Sequence, residues 1–197
     1  MIILIITLSK IIADFFYKNN IVDEVKRERI QYGFQTIFST VISFLIVIVS
    51  GIVFNILDIS LVFLALFVLI RRFTGGYHAD TYLKCNLCFA FVYFLTMAMT
   101  IMTKNSYSAF KAEMFLVYLF SDIVIISYAP IENKNKPQTE IQLKKNRLLS
   151  ILLTVIVTVV SIFISIYSVR IFLAVDYTLL SIAVLILIAK SKRKERK

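Results

Sequence analysis

The chain has 197 residues, of which 59% are hydrophobic and 17% charged, and its formal net charge is +10. A water-soluble domain needs more polar surface than this, so the composition excludes an ordinary soluble enzyme. Two prolines, four glycines and no tryptophan leave little room for a β-rich fold, and the expectation is an all-α integral membrane protein.

Taken in chain order, residues 1–32 read as amphipathic helices at the membrane interface. Ile5, Leu8, Ile12, Phe15 and Phe16 recur at helical spacing, while Lys10, Asp14 and Lys18 interrupt the run, as suits a helix lying in the interface plane. No secretory signal is expected there, because no basic region precedes the apolar run and no small-residue cleavage site follows it. Apolar blocks then fall near 34–54, 56–70, 87–103, 112–129, 148–168 and 171–189, and several approach the roughly 20 apolar residues that cross a bilayer. The block at 56–70 is short for a full span. Six spans are expected. Residues 34–70 hold the first two, 71–88 a polar segment, 87–129 spans three and four, 130–147 a polar loop, 148–189 spans five and six, and 190–197 a basic tail. All belong to a single polytopic domain, 1–197, without internal repeats.

Charge orients these spans. Of the 22 lysines and arginines, 19 lie in residues 1–32, 71–84, 130–147 and 190–197, and only Lys104, Lys111 and Arg170 lie elsewhere. Positive residues collect in cytoplasmic loops, so both termini are expected in the cytoplasm, as an even number of spans requires. Basic loops also hold anionic lipid headgroups, and the tail "KSKRKERK" is read that way. No nucleic-acid-reading module accompanies it.

The stretch "RRFTGGYHADTYLKCNLC", Arg71 to Cys88, holds the only histidine and both cysteines. On this topology it faces a reducing compartment, where stable disulfides are not expected. A Cys–His pair forms a nucleophile: the imidazole takes the thiol proton and later protonates a leaving amine. Arg71, Arg72 and Lys84 favour the thiolate. Backbone N–H groups around Gly75 and Gly76, or Arg71, can stabilise an oxyanion. His78 and Cys85 are seven residues apart. On one continuous helix they would share a face but stand about 10 Å apart, so a bend or loop between them is required, and Gly75–Gly76 provides backbone freedom just upstream. Bland readings compete, since a lone histidine at an interface can be a polar anchor and a membrane cysteine a small apolar filler. Cys85-x-x-Cys88 also has the spacing of thiol oxidoreductases, and a small peptide transporter is a third reading, weakly supported by the few polar residues in the spans. One histidine and two cysteines make only three zinc ligands, so neither a metal nor a cofactor is expected. Asp122, within an apolar run, is a functional candidate because intramembrane carboxylates are costly. Asp122 and Asp80 are the two candidates for a third member orienting His78.

The pattern of Arg71, Gly76, His78 and Cys85 resembles the signature of the accessory gene regulator B family, membrane endopeptidases of peptide quorum sensing in Gram-positive bacteria. Cys88, Tyr77 and Asp80 stand outside that core pattern. The resemblance implies Cys85 as nucleophile and His78 as base. It also implies a propeptide substrate with an amphipathic leader and an acidic C-terminal tail. Removal of the tail would leave an acyl-enzyme thioester that closes to a thiolactone or lactone, by attack of a cysteine or serine within the substrate. A location in the bacterial cell membrane, with the active site toward the cytoplasm, and a homodimer are likewise implied. The 19 cations on one face would attract an acidic tail.

Overall fold

The computed structural model describes residues 2–76, 81–131 and 138–194. Among these are seven helices: α1 (Ile2–Lys18), α2 (Glu24–Val53), α3 (Leu57–Thr74), α4 (Tyr82–Lys104), α5 (Lys111–Tyr128), α6 (Glu140–Ile164) and α7 (Val169–Lys194). The described residues form no strand, only an isolated bridge between Gly75 and Ile131. Four helices, α2, α4, α6 and α7, are long and apolar enough to cross a membrane. The other two apolar helices fall short. α3 and α5 have 18 residues each, about 27 Å at the helical rise against a hydrocarbon core of about 30 Å. Each also carries three charged residues: Asp58, Arg71 and Arg72 on α3, and Lys111, Glu113 and Asp122 on α5.

Two boundaries differ from a reading of hydropathy alone. α2 runs 30 residues without a break, joining the charged stretch after Glu24 to the apolar stretch that follows, because "EVKRERIQYG" contains good helix formers and no proline. Arg170 is not in the connection before the last helix. It lies in the first turn of α7, and the break falls between Ile164 and Val169.

Packing divides the described residues into two units. The first holds residues up to Val47 and residues 81–90. Asn20 ends α1 in the left-handed region, φ 55°, which asparagine tolerates. Asp23 caps α2 by accepting the Lys26 backbone N–H at 2.8 Å, and that bond, then the Lys26 side chain, holds its carboxyl below the usual carboxylate range. The Arg27 guanidinium pairs with Asp14 at 2.5 Å, fastening α2 to α1, and lies 5.7 Å from the Tyr17 ring centre. The buried stripe of α1 is Ile5, Ser9 and Ala13, whereas Leu8 and Phe15 are exposed.

The second unit holds residues 48–76 and the described chain from Phe91 onward. α7 packs against α3, α5 and α6. It is buried on nearly every side between Phe172 and Ile186, as expected of a helix that is apolar all round. The turn after α2 has Asn55 at φ 54°, and Gly51 lets α3 approach: a Cβ there would stand 3.1 Å from Ser60. Ser50 and Ser60 bond the Tyr93 hydroxyl at 3.0 and 2.8 Å. Arg170 pairs with Asp58 at 3.2 Å.

Candidate functional site

α3 ends at Thr74, and α4 begins at Tyr82 and carries Cys85. His78 and Asp80 lie outside the described residues. The remaining expected site residues divide between the two units. Arg71, Gly75, Gly76 and Asp122 belong to the second, and Cys85 and Cys88 to the first.

In the second unit, the backbone leaving α3 is held by main-chain bonds. The Gly75 N–H donates to the Arg71 carbonyl at 3.0 Å, and the Ile131 N–H to the Thr74 carbonyl at 2.9 Å. Gly75 has φ 66°, and a Cβ there would lie 2.2 Å from the Ile131 carbonyl oxygen. Close backbone approach and positive φ together demand glycine. Gly76 has φ 125° but only one distant neighbour, the Leu185 carbonyl at 3.9 Å, so its requirement is conformational. Arg71 is half-buried with its guanidinium 5.0 Å from the Phe67 ring centre, an arrangement that favours arginine over lysine.

In the first unit, Cys85 occupies the first turns of α4. Thr81 precedes the helix and its hydroxyl accepts the Lys84 N–H at 3.3 Å, while the Cys85 N–H donates to the Thr81 carbonyl at 3.0 Å. A helix N-terminus carries partial positive charge and attracts negative charge. Cys85 and Cys88 are both half-buried and not in a disulfide. The next residue, Asn86, is buried, and its side-chain oxygen accepts from Ser39 at 2.8 Å and Ser43 at 3.2 Å. One turn earlier, the Tyr82 ring lies 6.2 Å from that of Tyr32, and its hydroxyl is 3.4 Å from Thr36. Tyr32, Thr36, Ser39 and Ser43 recur at helical spacing on α2, so a polar seam holds the turn that carries Cys85.

Asp122 is half-buried on α5 and accepts the Thr158 hydroxyl on both carboxylate oxygens, at 2.9 and 3.1 Å. Asp176 on α7, absent from the sequence-based candidates, is fully buried. It was as visible as Asp122, a carboxylate inside an apolar run. Thr81 was visible too, as a threonine before an apolar helix start. Asn86 could not be found that way, because its partners lie more than 40 residues away on α2.

These features define an all-helical protein with helices of membrane-spanning length and composition, and a cysteine at the capped start of one of them. The family model for accessory gene regulator B matches residues 9–190, and the chain belongs to that family. It is 29% identical over 147 residues to putative AgrB-like protein 2 of Clostridium perfringens, covering 72% of this chain and 67% of that one. It is 24% identical over 152 residues to accessory gene regulator protein B of Staphylococcus aureus, covering 77% and 79% respectively. Putative AgrB-like protein 1 of Clostridium perfringens is 29% identical over 139 residues, covering 70% and 72%. No solved structure matches the chain significantly.

Proposed function

We propose that the chain is a multi-pass membrane cysteine endopeptidase that removes the acidic tail of a short quorum-sensing propeptide and closes the remainder into a ring. The observation that carries this reading is family membership over residues 9–190 together with the spacing Arg71, Gly76, His78 and Cys85 within that match. The capped first turn of α4 supports it by giving Cys85 a defined backbone position, and the Gly75–Gly76 turn by its enforced conformation.

In the proposed reaction, His78 takes the Cys85 proton and the thiolate attacks the carbonyl carbon before the tail. The C–N bond breaks as His78 returns the proton to the departing amine, leaving the leader and signal sequence as a thioester on Cys85. A cysteine thiol or serine hydroxyl of the substrate then attacks that thioester, the S–C bond to Cys85 breaks, and the enzyme thiol is restored. The exchange of one thioester for another gains little energy, so water must be excluded. Asp122 as an orienter of His78 could keep accepting from Thr158, since a carboxylate offers about four lone-pair sites. Asp80 remains the other candidate for that role.

The proposed topology has six spans, counting the short α3 and α5, with N-terminal interfacial helices and both termini in the cytoplasm. The positive-charge bias supports it. It places the site toward the cytoplasmic side of the bacterial cell membrane, among anionic lipids, in a chain that works as a homodimer. The test is mass spectrometry of cells co-expressing the chain and its propeptide. Tail loss and ring closure are expected to vanish for Cys85→Ala and His78→Ala and to persist for Cys88→Ala. Processing that survives Cys85→Ala overturns the reading, and equal loss in Cys88→Ala points to thiol redox chemistry instead.

A further inference from the structure

Cys88 is the thiol that the proposed reaction leaves unused. It lies on α4 three residues after Cys85, so the two side chains are neighbours on one helix surface. Both are half-buried, and neither is in a disulfide. Spacing decides what they can do together. At the rise and radius of an α-helix their Cα atoms stand about 5 Å apart, within the roughly 4.4–6.8 Å that a disulfide spans. Their Cβ atoms stand about 5–6 Å apart, against roughly 3.5–4.5 Å in a disulfide. Closing the bond therefore asks for a shift of about 1 Å and no change of fold. The first turn of α4 can supply it, since the Lys84 N–H is held there by the Thr81 hydroxyl at 3.3 Å. Asn86 is tied to Ser39 and Ser43, so the movement falls on Cys85 and the turn before it. As packing, a small apolar side chain at position 88 has no need of a thiol.

We propose that Cys88 is the resolving thiol of Cys85, so that a hydroperoxide converts the pair into a reversible Cys85–Cys88 disulfide and halts peptide processing. Its effect on processing rests on the reading of Cys85 as the nucleophile; the thiol chemistry does not. The Cys85 thiolate attacks the peroxide, the O–O bond breaks, water or an alcohol leaves after taking up a proton, and Cys85 becomes a sulfenic acid. The Cys88 thiol then attacks that sulfur. An S–S bond forms, the S–O bond breaks, and hydroxide leaves as water with the Cys88 proton. Two thiols are oxidised and one peroxide is reduced. Cytoplasmic thiols reverse the step by exchange: two of them are oxidised to their own disulfide, and Cys85 and Cys88 regain their protons. Without Cys88, further peroxide takes the sulfenic acid to sulfinic acid, which thiols do not reduce. Disulfides of this kind in a reducing compartment are transient and serve sensing or catalysis.

The experiment treats membranes containing the full-length chain with hydrogen peroxide, then with an alkylating agent, and reads both cysteines by peptide mass. The wild type is expected to lose alkylation at Cys85 and Cys88 together, with both in one intramolecular disulfide, and to regain it on reduction with dithiothreitol. Cys88→Ala and Cys88→Ser are expected instead to accumulate sulfinic acid at Cys85 that dithiothreitol does not remove. Propeptide processing should follow, lost and recovered in the wild type and lost without recovery in both variants. The proposal is overturned by Cys85 that oxidises in the wild type without bonding to Cys88, by a Cys85 disulfide between two copies of the chain, by equal sulfinic acid in wild type and variants, or by no oxidation at Cys85. If the intramolecular disulfide forms but processing does not depend on Cys85, the peptidase reading falls and the thiol pair stands.

Discussion

The unit around α7 and the unit that carries Cys85 are held in different ways. In the first, Phe172, Leu173, Ala174, Leu179, Ile182 and Ile186 are buried in succession, and shape does most of the holding. In the second, the contacts that tie α2 to its neighbours are polar: Arg27 to Asp14, Ser39 and Ser43 to Asn86, and Tyr82 to Thr36. Lipid tails are as apolar as leucine, so apolar burial alone does not drive helices together in a bilayer. Close packing works where a helix is surrounded, as α7 is. A helix with few neighbours is oriented by directional bonds. The candidate nucleophile therefore rests on contacts that are individually weak and easily edited, and the glycine turn on backbone that tolerates no editing.

Four comparisons sharpen that contrast, from the largest expected effect to the smallest. Gly75→Ala forces a side chain into a left-handed position against the Ile131 carbonyl, and is expected to cost about 3 kcal/mol. A thermal midpoint close to that of the wild type would disprove the close approach. Leu179→Ala empties space in a fully buried position and should cost about 2–3 kcal/mol. Phe163→Ala, where the side chain is 65% exposed, should change stability by less than about 0.5 kcal/mol. Similar losses at both positions would contradict the central place of α7. Asn86→Leu removes the acceptor for Ser39 and Ser43 and should cost about 1 kcal/mol. Its diagnostic effect is on the alkylation rate of Cys85 in membranes, which should change, while Cys88 reacts as before. An unchanged Cys85 rate would mean that the seam does not position the thiol. The smallest effect is at Asp23. Its carboxyl is held low by Lys26, so its contribution to the start of α2 is complete above the ordinary carboxylate range near 3.9. That contribution is lost as pH falls through the lower folded-state value. Amide exchange at Lys26 should quicken at low pH, and Asp23→Ala should abolish that dependence.

Several features were legible because they depend on neighbours in the chain. The helix-rich class, the apolar blocks and the special conformation at Gly75–Gly76 follow from composition, periodicity and the steric freedom of glycine. The motif residues Arg71, Gly76, His78 and Cys85 stood out because the rare side chains are gathered in one polar stretch. The continuity of α2 past position 33 was not legible, because hydropathy changes there while helix propensity does not. For the same reason the charged Arg170 read as a connection and not as the first turn of α7.

By itself the sequence determined that this protein is helical, apolar and strongly biased in charge, and that its reactive side chains are gathered from the end of the second apolar block to the start of the third. Those properties are local or additive, so no packing is needed to read them. Only the tertiary structure decided that Ile131 makes glycine obligatory at position 75, that Asn86 is the anchor beside Cys85, and that Asp176 is buried without a donor among the described residues. Each depends on groups brought together from distant parts of the chain, where close contact, hydrogen bonding and loss of water set the energies.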